Sequence, residues 1–104
     1  MSKAEGKRAA LPKTIRLGGR DIPVRFDGTT TGLEGCYGLA RYNDGDILIS
    51  PTASVDQQWA TFWHEVLHWI LFLCGRDEAR QDECFITSVA EYLNQVHRQV
   101  KPRK

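Results

Sequence analysis

Two histidines and a glutamate at fixed spacing are the residues of this chain best suited to chemistry. His64, Glu65 and His68 form the pattern H-E-x-x-H. On a helix, residues four apart lie on one face, so both imidazoles can aim at one zinc ion. A carboxylate next to the first ligand can reach a water molecule on the metal and act as general base. The spacing therefore predicts zinc-assisted hydrolysis of a peptide bond, with Glu65 as the base.

The surroundings of the motif support this interpretation. The run WATFWHEVLHWILFLC, residues 59–74, is apolar on almost every side, which is typical of a buried central helix. Burying two imidazoles and a carboxylate without partners would be costly, and a shared metal ion provides one. The alternative is two core histidines hydrogen-bonded to the backbone, with Glu65 reaching solvent.

Capping signals set the expected ends of this helix. Ser54 followed by Gln57 fits a capping box, so the helix is expected to begin near Val55. It is expected to run to Cys74, with Gly75 as the C-terminal cap.

The predicted fold class is α+β: a small antiparallel sheet of two hairpins packed on two antiparallel helices. Alternating residues predict strands around Gly18-Gly19 and around Asn43-Asp44-Gly45, and Pro23 favours an edge or irregular strand. Residues 27–35, DGTTTGLEG, are expected to form a loop. After Gly75 one further helix is expected, because apolar residues recur there at helical spacing. These residues are Ile86, Val89, Leu93, Val96 and Val100.

Length, charge and cysteines limit the organisation of the chain. With 104 residues it predicts a single domain at 13–98, between a flexible tail at 1–12 and a basic tail at 99–104. A net charge of +1 gives no reason to expect nucleic acid or membrane as a partner. Three cysteines without close spacing and no apolar leader indicate the cytoplasm, with buried or half-buried thiols.

A catalytic zinc usually takes a third protein ligand, which must come from the second helix. His68 lies about six residues before the turn, and an antiparallel helix regains that height about six residues after it, near Asp82 and Glu83. Helical phase does not choose between these two, and the Cys84 thiolate is a further alternative. His97 lies several turns away and is expected to be a surface or packing histidine.

The order of these features resembles the gluzincin metallopeptidases: a β-hairpin, an H-E-x-x-H helix and a glutamate opening the next helix. Over residues 36–97 the chain is similar to the minimal zincin domains of phage and prophage proteins and, more distantly, to the ImmA/IrrE family. The resemblance implies zinc held by His64, His68 and Glu83, Glu65 as catalytic base, and a peptide or protein substrate. The longer alanine-rich pattern of the ImmA/IrrE proteins has no strong match here.

The predicted function is therefore a zinc-dependent metallopeptidase. One alternative is a zinc-binding interaction module of the same fold without peptidase activity, and another is an α/β interaction protein whose apolar helix forms an interface. The strand around Leu48 is expected either to pair with an extended substrate or only to cover the core. Donors to the oxyanion would come from among Tyr37, Tyr42, Tyr92 and His97.

Overall fold

Four strands and four helices make up the part of the chain that the structure describes. The computed structural model describes residues 8–100, and the predicted α+β class is confirmed. The strands are β1 (Thr14–Leu17), β2 (Arg20–Phe26), β3 (Gly38–Arg41) and β4 (Asp46–Ile49). The helices are α1 (Gly28–Glu34), α2 (Val55–Leu73), α3 (Asp77–Arg80) and α4 (Glu83–Gln99).

The strands form one mixed sheet in the order β1-β2-β4-β3. Both predicted hairpins are present, but β2 and β4 pair in parallel, with Val24 opposite Ile47. The wholly antiparallel sheet was a wrong prediction, because alternation assigns each residue to a face and is silent on the direction of the neighbouring hairpin. As a result β4 is an internal strand and β3 is a free edge. Pairing with β4 begins only at Val24, so Pro23 is tolerated in the internal strand β2.

Residues 27–35 contain helix α1 and are not the predicted loop. Asp27 caps this helix by accepting hydrogen bonds from the backbone N–H and the hydroxyl of Thr30. Gly35 ends it in the left-handed conformation, with φ of 67°. The helix and β3 together form the crossover that a parallel pair of strands requires.

Helix α2 lies against the sheet and has the predicted ends to within one residue. The Ser54 hydroxyl accepts the N–H of Gln57 at 3.2 Å. At the other end Gly75 has a φ of 71°, and the next N–H, of Arg76, bonds to the carbonyl of Leu71 at 2.9 Å. The core lies between α2 and the sheet, and its buried members include Ile22, Ile47, Ile49, Phe62, Val66 and Trp69.

The single helix predicted after Gly75 is two helices, α3 and α4. The chain breaks at Asp82 because its carboxylate accepts the N–H of Phe85 at 3.1 Å and so caps a new helix. The apolar stripe predicted for this region is rotated from the buried face: Val96 and Val100 are exposed. The fully buried positions of α4 are Ile86, Ala90 and Asn94.

The segment before β1 contacts the domain. Residues 1–7 and 101–104 of the two predicted tails lie outside the described residues. Leu11 belongs to the core cluster, and the indole N–H of Trp59 donates to the carbonyl of Ala9 at 2.7 Å. These contacts attach residues 8–12 to α2.

The structure tests the prediction of buried or half-buried thiols. None of the three cysteines forms a disulfide, but only Cys36 is half-buried as predicted, whereas Cys74 and Cys84 are exposed. Between residues 8 and 100, no helix combines the length and the apolar character needed to cross a membrane.

Candidate metal centre

Two histidines of α2 and one glutamate of α4 meet at one point. Nε2 of His64 lies 3.0 Å from Oε1 of Glu83, and Nε2 of His68 lies 3.1 Å from Oε2 of the same carboxylate. One ligand atom from each residue lies within 4.8 Å of the others. The three residues are therefore close enough to hold a metal ion.

Local structure explains why these side chains converge. His64 and His68 lie one turn apart on α2, with their ring centroids 5.0 Å apart. Glu83 is the first residue of α4, directly after the capping residue Asp82. The Asp82 carboxylate is occupied by that cap, and neither it nor the exposed Cys84 belongs to the cluster. Of the three candidates for the third ligand, the structure brings Glu83 to the two histidines.

The donor set suits a zinc ion. Two imidazole nitrogens and a carboxylate oxygen are common zinc ligands, and bonds of about 2.0–2.1 Å in a tetrahedron place ligand atoms about 3.3 Å apart. The separations of 3.0 and 3.1 Å join the two histidines to different oxygens of Glu83 and are hydrogen-bond lengths, so a metal ion would bind by replacing these hydrogen bonds. Burial lowers the pKa of His68 against the opposing charge of Glu83, and this favours the neutral imidazole that binds metals.

Glu65 lies beside the cluster but is not part of it. Its side chain is buried, with the residue 7% exposed. Burial, followed by the charge of Glu83, raises the pKa of Glu65 to about 8, while the backbone N–H of Ala40 opposes this rise. A buried carboxyl group facing a polar cluster is suited to proton transfer.

The cluster opens into a groove with a volume of about 900 Å³. Helix α2 forms the floor of this groove, with α4 on one side and β3 on the other. Leu39 pairs with Leu48, and Tyr37 accepts the N–H of Ser50, so alternation places the N–H and C=O of Gly38 and Ala40 on the side away from β4. The free strand edge at the groove therefore belongs to β3.

This arrangement decides between the two expectations for Leu48. The residue is 1% exposed on the internal strand β4, so it covers the core and has no free edge to offer a substrate. The expectation of strand pairing at Leu48 was wrong because the sequence did not show that β2 pairs with β4.

The predicted donors to an oxyanion fall into two groups. Tyr37 and Tyr42 line the groove, whereas Tyr92 and His97 do not. The ring of Tyr42 stacks on Phe72 with centroids 4.3 Å apart. Burial raises the pKa of Tyr42, so its hydroxyl keeps the proton that a donor needs.

Sequence reasoning missed Arg80, whose guanidinium lies 5.1 Å from the centre of the Tyr42 ring. An arginine in a four-residue helix carries no motif, and only the break before α4 brings it to this place. Its guanidinium lies over this ring, and its hydrogen bond and charge oppose the rise in the pKa of Tyr42.

Comparison of the chain with models of protein families, with curated proteins and with solved structures gives no significant match. The resemblance to the gluzincins therefore rests on the H-E-x-x-H motif and the order of the elements around it.

Proposed function

We propose that this protein is a zinc-dependent peptidase of minimal zincin type, acting on a peptide or protein. The observation that carries the proposal is the convergence of Glu83 on His64 and His68, beside the buried Glu65. Chance burial of a histidine pair does not explain why a carboxylate from another helix lies between them.

Each of the four residues has a distinct role in this proposal. His64, His68 and Glu83 hold the ion, and a zinc ion there would polarise the scissile carbonyl and lower the pKa of a water molecule. Glu65 lies about 100° around the helix from His64, so it reaches the reacting water without joining the ligands. In its ionised form, the Glu65 carboxylate would take the proton from this water and return it to the leaving amine.

The groove suits an extended backbone. On the free edge of β3, Gly38 presents its N–H and C=O and Ala40 presents its C=O, and a peptide strand can add to the sheet there. Tyr42 is the proposed donor to the oxyanion, because its hydroxyl is protonated and it lines the same groove.

A zinc-binding interaction module remains the second candidate function. One observation favours it: Phe85, Tyr92 and Val96 of α4 and its C-cap Val100 are exposed at spacings of seven, four and four residues. Exposed apolar side chains in such a row are typical of a surface that binds another protein.

The test uses the zinc-loaded protein and an unfolded protein as substrate. Glu65→Gln should keep zinc and lose hydrolysis by roughly 10²–10⁴-fold, the usual contribution of a general base. Glu78→Gln, an exposed carboxylate of α3 outside the groove, is the matched control and should retain activity. Loss of zinc in Glu65→Gln would make Glu65 a ligand, and a parent protein that binds zinc without cleaving any substrate would favour the interaction module.

A further inference from the structure

Gly38 is the point of closest approach between the edge strand and the helix of the metal centre. It is buried in β3 opposite Ile49, and its backbone does not adopt the left-handed conformation that favours glycine. Conformational freedom is therefore not the reason for a glycine at this position.

Space is the reason. A Cβ atom at residue 38 would lie 2.4 Å from Cγ2 of Thr61, 3.0 Å from the carbonyl oxygen of Leu48 and 3.3 Å from Cγ of Glu65. The Leu48 carbonyl oxygen is a backbone atom of the neighbouring strand β4, and Thr61 is buried in α2. Neither group therefore has room to move far. Any side chain at this position would push β3 away from the turn of α2 that carries Thr61 and Glu65.

Such a displacement of β3 would change the surroundings of the Glu65 carboxylate. Gly38 and Ala40 lie on the same edge, and the N–H of Ala40 faces this carboxylate. Thr61 lies one helical turn before Glu65, so displacement of the strand at Gly38 changes the distance between Ala40 and the general base.

We propose that Gly38 is a positioning residue for Glu65, holding the substrate-binding edge of β3 at hydrogen-bonding distance from the general base. The proposal deepens the proposed peptidase function and rests on it for the catalytic consequence. Its structural part, the close approach of β3 at Gly38 to the turn of α2 that carries Thr61 and Glu65, stands on the contacts alone. The sequence has small residues at two alternate positions of β3, Gly38 and Ala40, and this fits a close approach of the strand to α2.

The chain supplies its own rescue and control. Gly38→Ala should collide with Cγ2 of Thr61, and Thr61→Ser removes that methyl group while keeping the hydroxyl that accepts the Gln57 side chain at 3.1 Å. Gly38→Ala combined with Thr61→Ser should therefore restore the approach. Gly32→Ala, an exposed glycine of α1 with nothing within 4 Å of an added Cβ, is the matched control.

The experiment has two readouts, and only one requires catalysis. For hydrolysis, Gly38→Ala should keep zinc and lower kcat by more than KM changes, on the order of 10²-fold for a misplacement of about 1 Å. The double variant should regain most of this loss, and Gly32→Ala should match the parent. Thermal melting of each variant separates this effect from unfolding.

The second readout is the NMR signal of the Ala40 amide. In the parent, Glu65→Gln should shift this signal; in Gly38→Ala the response should disappear, and in the double variant it should return. An Ala40 response that survives in Gly38→Ala would overturn the proposal, as would a kcat equal to that of the parent. If the parent cleaves no substrate but the amide responds as expected, the alignment stands and the peptidase function falls.

Discussion

Helices α2 and α4 carry two histidine clusters, and an arginine belongs to only one of them. The cluster of His64, His68 and Glu83 places two imidazoles around a carboxylate. The other cluster places His97 between Trp59, with centroids 4.4 Å apart, and Arg8. Both are built on the same two helices, so the difference lies in the side chains and not in the scaffold.

The Arg8 cluster contains its own cation. The guanidinium lies 2.8 Å from Nδ1 of His97 and from Oδ1 of Asn94, and it covers the Trp59 ring at 4.9 Å. This histidine accepts a hydrogen bond from an arginine at Nδ1, and its ring packs at a tilt of 37° against an indole. His97 is therefore a packing residue.

No arginine or lysine forms an ion pair with Glu83 in the described part of the chain, although the charge of Arg80 acts on His68. Among residues 8–100, the ion-pair partners of Glu83 are the two imidazoles, and Glu65 adds a second carboxyl group nearby. Each imidazole lies at hydrogen-bond distance from a different oxygen of Glu83, so one N–H of each ring can partner the carboxylate, and a metal ion would take the place of these two protons. The comparison teaches that the cluster at Glu83 could exchange its protons for a metal ion, whereas the place next to His97 is already taken by Arg8.

The largest expected effect is on zinc affinity. His68→Ala should weaken zinc binding by far more than the roughly 10–100-fold typical of residues behind the ligands. His97→Ala should bind zinc like the parent, because its cluster already contains Arg8. Competitive titration with a chromophoric chelator measures both, and equal zinc affinities in the two variants would remove the distinction between the clusters.

Glu83→Gln should cause a similar loss, because the amide oxygen is a poor ligand compared with a carboxylate. Asp82→Asn should have little effect on zinc, since asparagine is as good an N-cap as aspartate, and Cys84→Ser should have none. The same titration tests all three. If Glu83→Gln binds zinc like the parent while Asp82→Asn loses affinity for zinc, then Asp82 is the third ligand and α4 is rotated about its axis so that Asp82 faces the two histidines.

Metal removal should lower the stability of proteins with an intact Glu83 cluster and leave unchanged a variant in which this cluster has lost a ligand. A ligand that binds only the native state stabilises it by about 4 kcal/mol at a free concentration 1,000 times its Kd. Chelation should therefore lower the Tm of the parent and of His97→Ala, but leave His68→Ala unchanged. Calorimetry with verified metal removal provides the measurement. An unchanged Tm of the parent after chelation would contradict a zinc contribution to folding.

Short-range chemistry explains the parts of this fold that could be predicted from sequence. Ser54 and Gly75 mark the two ends of α2, and Asn43-Asp44-Gly45 forms the turn between β3 and β4. Both could be predicted because each signal acts within a few residues. The H-E-x-x-H spacing likewise needs only the pitch of one helix to bring His64 and His68 together.

What the sequence did not show depends on contacts between distant segments. The parallel pairing of β2 with β4, and hence the identity of the free edge, is decided by how the two hairpins pack on α2. The rotation of α4 was misjudged because Asp82 was treated as an interior residue and not as a cap. The docking of Arg8 joins residues more than 80 positions apart, which no local pattern encodes.

Removing the cation of the second cluster should cost stability without affecting zinc. Arg8→Met keeps much of the apolar stem but leaves Asn94 and His97 without their donor. Leaving buried acceptors unpaired costs about 1–3 kcal/mol, which urea unfolding measures. Arg16→Met, which removes an exposed pair with Asp21, is the control and should change stability by less than about 1 kcal/mol. Equal effects of the two substitutions would mean that the Arg8 contacts contribute little.

The smallest effect expected is a pH dependence from His97. Burial, and then the charge of Arg8, lowers the pKa of His97, so below its ordinary pKa of about 6.5 the unfolded chain binds a proton that the folded chain does not. Stability is therefore complete above that pH and falls as the pH drops towards the folded value, by at most about 1.4 kcal/mol per pH unit for one proton. His97→Gln should flatten the curve between pH 7.5 and 5.5, measured by urea unfolding of the chelated protein. His68 titrates in both proteins, so the difference between parent and variant isolates His97, and identical pH slopes would show that its cluster admits the proton in the folded state.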